Sequence, residues 1–137
     1  MSYRGTLLAK ASLWVLPFYW LALVTATHIP MPDDGLPIDI SDKLMHLIAY
    51  GILAALLACV LLNGRRVSWW GTGALVAGLS LHAAVDEVTQ KLIPGRYASV
   101  ADWLADMSGV ILGLTVGYLL WRVLNSGANR AAIPGSS

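Results

Sequence analysis

Charge is scarce in this sequence. Asp, Glu, Lys and Arg make up 12% of the 137 residues, about half the share found in an ordinary soluble domain. With 57% hydrophobic residues and a mean hydropathy of +0.65, that scarcity excludes a water-soluble globular domain. Nine Lys and Arg against eight Asp and Glu leave a net charge of +1, so there is neither a basic footprint for nucleic acid nor a polyacidic tail. Cysteine is nearly missing too: Cys59 stands alone, which excludes an internal disulfide and a cysteine-built zinc cage. There is no internal repeat.

What is present is long apolar stretches. Four reach spanning length, at about residues 11–28, 44–62, 69–93 and 100–124. They predict an all-α polytopic membrane protein, a four-helix bundle over residues 1–125 with a disordered polar tail at 126–137. The first stretch is too long for the apolar region of a secretory signal and reads as a retained helix, with Pro17 as a point of kinking. An N-terminus-inside arrangement places Arg4, Lys10, Arg65, Arg66, Arg122 and Arg130 inside and Lys43, Lys91 and Arg96 outside. Six basic residues against three put both termini in the cytoplasm by the positive-inside rule. The acids were not used in that count, yet Asp33, Asp34, Asp39, Asp42, Asp86, Glu87, Asp102 and Asp106 all fall on the outer side. His28, His46 and His82 follow them, so a site is expected toward the extracytoplasmic face.

Within the spans, Asp42, His46 and Tyr50 follow at i, i+4 steps and share a helix face. Asp42 has a plainer reading as part of a helix start, with Ser41 or Asp42 capping free N–H groups. His46, a turn inside the membrane, has no such local role and calls for a partner or water. On the third span His82, Asp86 and Gln90 form one stripe, with Glu87 about 100° away. Two adjacent carboxyls roughly 10 Å deep, by the helical rise, must be neutralised by Arg96, Lys91, a histidine, a shared proton or a metal ion. His82 by itself reads as an interhelical hydrogen-bond partner.

Pro94-Gly95-Arg96 supplies a tight reversal that hangs Arg96 over the outer mouth. Ser99-x-x-Asp102 fits a capping box, whereas Asp106 lies a turn deeper with no local role. Asp102, Asp106, Gly109, Gly113 and Gly117 fall within about an 80° arc of one helix, so this face is expected to be buried and to let another helix approach closely. The same glycines could serve an oligomer. Trp69, Trp70, Tyr118 and Trp121 on the inner side, and Tyr97 and Trp103 on the outer, read as interfacial anchors. Trp14, Tyr19 and Trp20 face either lipid or the site.

Taken together, Asp42-Lys43-x-x-His46-x-x-x-Tyr50, then Asp86-Glu87-x-x-Gln90 with Pro94-Gly95-Arg96, then Ser99-x-x-Asp102-x-x-x-Asp106-x-x-Gly109-x-x-x-Gly113, resemble the VanZ-like family of small bacterial membrane proteins. The resemblance implies residence in the bacterial cytoplasmic membrane, a role at the cell envelope and a link to low-level resistance to the glycopeptide teicoplanin. It implies no defined reaction. Asp106 departs from the family pattern, which has Asn there, and implies one more bound proton or cation in this chain.

Three functions fit the residues. The first is binding or handling of an envelope lipid or glycolipid, with Lys43 or Arg96 on the head group. The second is an intramembrane enzyme with Asp86 or Glu87 as base, His46 as acid and Arg96 on a developing anion. The third is a partner subunit whose charges lock the helices. No nucleophile, phosphatase or protease motif is present, so the catalytic residues stay unassigned. Binding is preferred, with Asp42, Lys43, His46, Tyr50, Asp86, Glu87, Gln90, Arg96, Asp102 and Asp106 as the candidate polar cluster. No cofactor and no metal ligand set is assigned, and the expected partners are the lipid bilayer and a lipid or glycolipid ligand.

Overall fold

The computed structural model describes residues 3–30, 39–61 and 68–130, and these form four helices and no strand. They are α1 (Tyr3–Thr27), α2 (Asp39–Leu61), α3 (Trp69–Gln90) and α4 (Val100–Arg130). Three contain segments long and apolar enough to cross a membrane: Leu7–Thr27, Asp42–Leu61 and Val100–Val123. α3 has 22 residues, about 33 Å at the helical rise, but carries Asp86, Glu87, Thr89 and Gln90 in its last turns. The acids Asp33 and Asp34, the pair Arg65 and Arg66, and the tail beyond Arg130 lie outside the described residues.

Several boundaries differ from the sequence expectation. α1 begins eight residues early, because Lys10 and the residues before it extend the helix beyond its apolar part. It also runs through Pro17 without a break. α2 begins at Asp39, which places Ser41 and Asp42 inside its first turn, so neither is the N-cap. The charge on Asp42 still lies at the favourable, positive end of the helix dipole. α4 continues through Arg130, so residues 126–130, expected in a disordered tail, are helical. Small polar residues lower helix propensity by tenths of a kcal/mol each, too little to end a helix already nucleated.

The bundle is organised around α2 and α4. Along α4, Gly109, Gly113 and Gly117 face α2 so closely that an added Cβ would overlap Leu47 O, Gly51 O and Ala58 Cβ respectively. Gly51, Ala54, Ala55 and Ala58 supply the matching small residues on α2. In lipid there is no hydrophobic force between helices, so such close backbone contact is what holds them. The glycine face is therefore filled within the chain, which corrects its reading as an oligomer surface. α1 flanks α2, and α3 flanks α4. Tyr50, Leu53, Ala54, Leu79, Ala83 and Val110 form the apolar centre with Leu23. Large side chains such as Leu13, Trp14, Phe18, Leu81, Ile111 and Val123 point outward, the arrangement expected where the solvent is hydrocarbon.

The turn after α3 closes with Gly95 at φ 78°, a left-handed conformation that strains side-chain-bearing residues. α3 starts on Ser68, whose Oγ accepts from Gly71 N at 3.1 Å, the helix cap a Ser before an apolar run supplies. Trp69 and Trp70 lie with ring centroids 3.8 Å apart and planes tilted by 31°, and both are exposed, as boundary anchors should be. Trp103 departs from that reading. It is half-buried and its Nε1 donates to Ser80 O at 3.3 Å, so it ties α4 to α3. On α1, Trp14 faces outward, while Tyr19 donates to Ala49 O at 2.9 Å and Trp20 turns to α3.

Candidate functional site

The polar end of the bundle is formed by the C-terminal ends of α1 and α3 and the N-terminal ends of α2 and α4. Helix periodicity turns His46, Asp86, Glu87, Asp102 and Asp106 inward there, and three separate constellations result.

The first joins α1 to α3. Asp86 Oδ1 accepts from Thr27 Oγ1 at 3.0 Å, and Oδ2 accepts from Gln90 Nε2 at 3.0 Å. His28 Nδ1 lies 3.8 Å from the same carboxylate, and its Nε2 contacts Thr89 Oγ1 at 3.0 Å. Both oxygens of this buried acid have donors, so Asp86 acts as a clamp between helices. Replacing Thr27 with valine keeps the shape and removes one donor to a buried charged group. We expect a loss of about 1.5–3 kcal/mol, read as a lower thermal midpoint of the protein in detergent, with His28→Ala lowering it less.

The second sits between α2, α3 and α4. His46 Nδ1 is 3.0 Å from Asp106 Oδ1 and 3.8 Å from Glu87 Oε1, and all three residues are buried. Glu87 Oε2 accepts from the backbone N–H of Ser99 at 2.9 Å. That bond takes the N–H a capping box would give to Asp102, and Ser99 Oγ accepts from Ala101 N instead, so the expected box is not formed. Asp102 is instead buried and pairs with Lys43 at 3.4 Å. Glu87 and Asp86, adjacent in sequence, thus serve different neighbours, since 100° of rotation aims them at different helices.

The third is the aromatic and imidazole relay deeper in the bundle. Fully buried Tyr50 has its hydroxyl 2.9 Å from His82 Nδ1, and Trp20 Nε1 donates to His82 Nε2 at 2.8 Å. His82 is an interhelical link, joining α1, α2 and α3.

Arg96 does not stand free over the mouth. Its Nε donates to Ile29 O at 3.1 Å and Nη2 to Ala26 O at 3.0 Å. The guanidinium closes off carbonyls that the end of α1 leaves unpaired, and its positive charge complements the negative end of that helix.

Two of the spaces at this end of the bundle share lining residues. A polar mouth of about 260 Å³ is lined by Asp42, Lys43, Gln90, Arg96, Ser99 and Asp102, among others. A smaller cavity of about 80 Å³ shares Asp42 and Arg96 with it and reaches His46 and Tyr50. An apolar groove of about 650 Å³ between α1, α2 and α3 is lined by Leu13, Trp20, Leu53, Leu57, Gly78 and His82, among others. The structure thus brings Asp42, Lys43, His46, Glu87, Asp102 and Asp106 together, while Asp86 and Gln90 belong mainly to the clamp. Sequence reasoning missed Thr27 and Thr89, and it placed His28 on the polar side without giving it a role in the cluster.

A family model matches most of the chain. Residues 3–124 fit the model described as VanZ/LLP1. The chain belongs to the VanZ/LLP1 family. The match takes in all four helices up to the end of the apolar part of α4, so it includes every residue of the polar cluster. No curated protein and no solved structure gives a significant match.

Proposed function

We propose that this VanZ/LLP1 family member is a four-span protein of the bacterial cytoplasmic membrane that binds an envelope lipid or glycolipid at an outward-facing polar site. The supporting observation is that one bundle carries both a polar mouth and an apolar groove. The polar mouth shares Asp42 and Arg96 with the cavity that reaches Tyr50, and the Tyr50 hydroxyl meets His82 on the wall of the apolar groove. A head group in the mouth and an acyl chain against the groove match that division between polar and apolar linings. In a bilayer the groove gains nothing over surrounding lipid tails, so selectivity belongs to the mouth. There the carboxylates of Asp42 and Asp102 outnumber the one ammonium group, and Arg96 is engaged with α1. This favours a hydroxyl-rich head group, whose O–H groups can donate to carboxylates, over a simple anion.

On this reading α3 is the fourth span, both termini are cytoplasmic, and the mouth faces outward, in keeping with the distribution of Lys and Arg. The link to teicoplanin follows from sequestration or altered presentation of the bound lipid. A reporter fused after Pro134 is expected to be active in the cytoplasm.

The test uses Gly78, which lines the groove and where a Cβ would meet nothing within 4 Å. Gly78→Phe puts a ring into the groove from a position where the Cβ itself meets no neighbour. Gly73, equally open and outside the groove lining, is the control. Native mass spectrometry of protein released from its own membrane should show a retained lipid in wild type and Gly73→Phe, and loss of it in Gly78→Phe. Asp42→Asn should change which lipid is retained. Equal occupancy in the two glycine variants, or no bound lipid in wild type, would defeat the proposal.

A further inference from the structure

We infer that His46, Glu87 and Asp106 form a binding site for a single divalent transition-metal cation. The inference does not depend on the lipid reading, since it concerns the buried layer beneath the mouth.

Geometry comes first. A ligand atom from each of the three residues lies within 4.8 Å of the others. Metal–ligand bonds for imidazole nitrogen and carboxylate oxygen are about 2.0–2.2 Å, so two ligands at a right angle are about 3.0 Å apart, and at 130° about 3.8 Å. The separations of His46 Nδ1 from Asp106 Oδ1 and from Glu87 Oε1 are 3.0 and 3.8 Å. One cation can therefore contact all three with small shifts.

The second observation is independent of the clustering. Glu87 is 5% exposed and Asp106 0%, yet Glu87 Oε1 and Asp106 Oδ2 have no hydrogen-bond partner. Buried carboxylate oxygens are ordinarily satisfied, as both oxygens of Asp86 are. Glu87 Oε1 is also the oxygen that faces the His46 ring.

Charge gives the third argument. Two carboxylates with a neutral imidazole sum to −2, which a divalent ion cancels. Cancellation removes the desolvation penalty that excess negative charge carries between apolar helices, of which the single imidazole, when protonated, offsets only one unit. Lys43 pairs with Asp102, and Arg96 donates to the carbonyls of α1. Access runs through the small cavity, whose lining includes both Asp42 at the mouth and His46. Asp42, His46 and Asp102 form a second mutually close set, which places further carboxylates along this route.

One nitrogen and two carboxylates make a mainly hard donor set that suits Mn²⁺, so Mn²⁺ is the probe. Tag-free full-length protein in detergent, stripped with chelator and passed through a desalting column, is titrated with MnCl₂ while electron paramagnetic resonance follows free Mn²⁺. Saturable uptake of about one equivalent is expected, with Glu87→Gln and Asp106→Asn each weakening it more than about tenfold, the lower end of losses seen when only an outer partner of a metal ligand is removed. Cys59→Ala should bind as wild type does. Helical circular dichroism and monodisperse elution establish that each variant is folded. Whether or not they fold, the spin-echo spectrum of Mn²⁺ bound to wild type decides independently, through a nitrogen coupling from His46. Absence of saturable binding, absence of that coupling, or undiminished binding in both folded carboxamide variants overturns the inference.

Discussion

Gly113→Leu is expected to prevent accumulation of folded protein, while Gly73→Leu accumulates as wild type does. Both glycines lie within long helices, and propensity alone would favour leucine at either. Their surroundings decide the opposite outcomes. A Cβ at Gly113 overlaps the carbonyl oxygen of Gly51 and comes within 3.0 Å of Ala54 Cβ, whereas a Cβ at Gly73 meets nothing within 4 Å. The obstacle at Gly113 is backbone, which has no rotamer to relieve the overlap, so α4 must move off α2. Overpacking of side chains against side chains costs about 1–3 kcal/mol; against backbone, along the seam that joins α2 to α4, the upper end of that range is the expectation for alanine and more for leucine. Moving α4 also draws Asp106 away from His46, so the loss extends from packing to the charge cluster. The thermal midpoint in detergent should fall from wild type to Gly113→Ala, and Gly113→Leu should give too little folded protein to show one. A Gly113→Leu protein that elutes as a single species and keeps the wild-type midpoint would show that the α2–α4 contact does not set stability.

That same seam separates what the sequence could reveal from what it could not. The helices are legible because an apolar run of spanning length has few alternatives, and the glycine stripe on α4 is legible because a 100° rotation per residue puts Gly109, Gly113 and Gly117 on one face. The partner of that face is not legible: one helix of this chain and one of a second copy present the same small residues. Likewise the inward direction of Asp86, Glu87, Asp102 and Asp106 follows from the cost of charge in lipid, but their pairings depend on helix rotation and depth, which boundaries read from hydropathy do not fix: α1 and α2 begin eight and five residues before the apolar runs. Ser99 shows the consequence. Its spacing to Asp102 suits a local capping box, yet Glu87, twelve positions earlier, takes the backbone N–H because the turn at Pro94-Gly95 returns α4 alongside α3. Arg96 shows it again, since an exposed arginine beside a mouth suggests a ligand contact, while the actual acceptors are carbonyls at the end of α1, a helix some seventy positions distant in sequence. Thr27 escaped notice, and His28 was given no role, for a related reason. Short polar residues at the end of a span look like an exit to water, and only the contact of α1 with α3 makes Thr27 a donor to Asp86 and brings His28 within 3.8 Å of it.

His46→Leu should be among the most destabilising single substitutions at the polar end, and a second substitution should restore much of the loss. The imidazole is the nearest group able to donate to buried Asp106, at 3.0 Å, and it faces Glu87 Oε1 at 3.8 Å. Leucine fills similar space but leaves two acids facing one another. Breaking a buried charge pair from one side costs about 3–5 kcal/mol, much of it the cost of stranding the remaining charge. Removing both members by apolar groups of similar shape costs far less, and Asp106→Leu is close to isosteric. Glu87 retains its bond from Ser99 N–H in either case. The two substitutions are therefore expected to be non-additive, with a coupling of more than about 1 kcal/mol, within the range found for contacting residues. The double variant should unfold at a higher temperature than His46→Leu alone. The measurement belongs in chelator, so that the pairing itself is read without a bound cation. If instead the two losses simply add, His46 and Asp106 act on stability independently. The 3.0 Å contact between them would then contribute nothing to holding α2 against α4, and the small residues along the seam would have to account for the whole of that association.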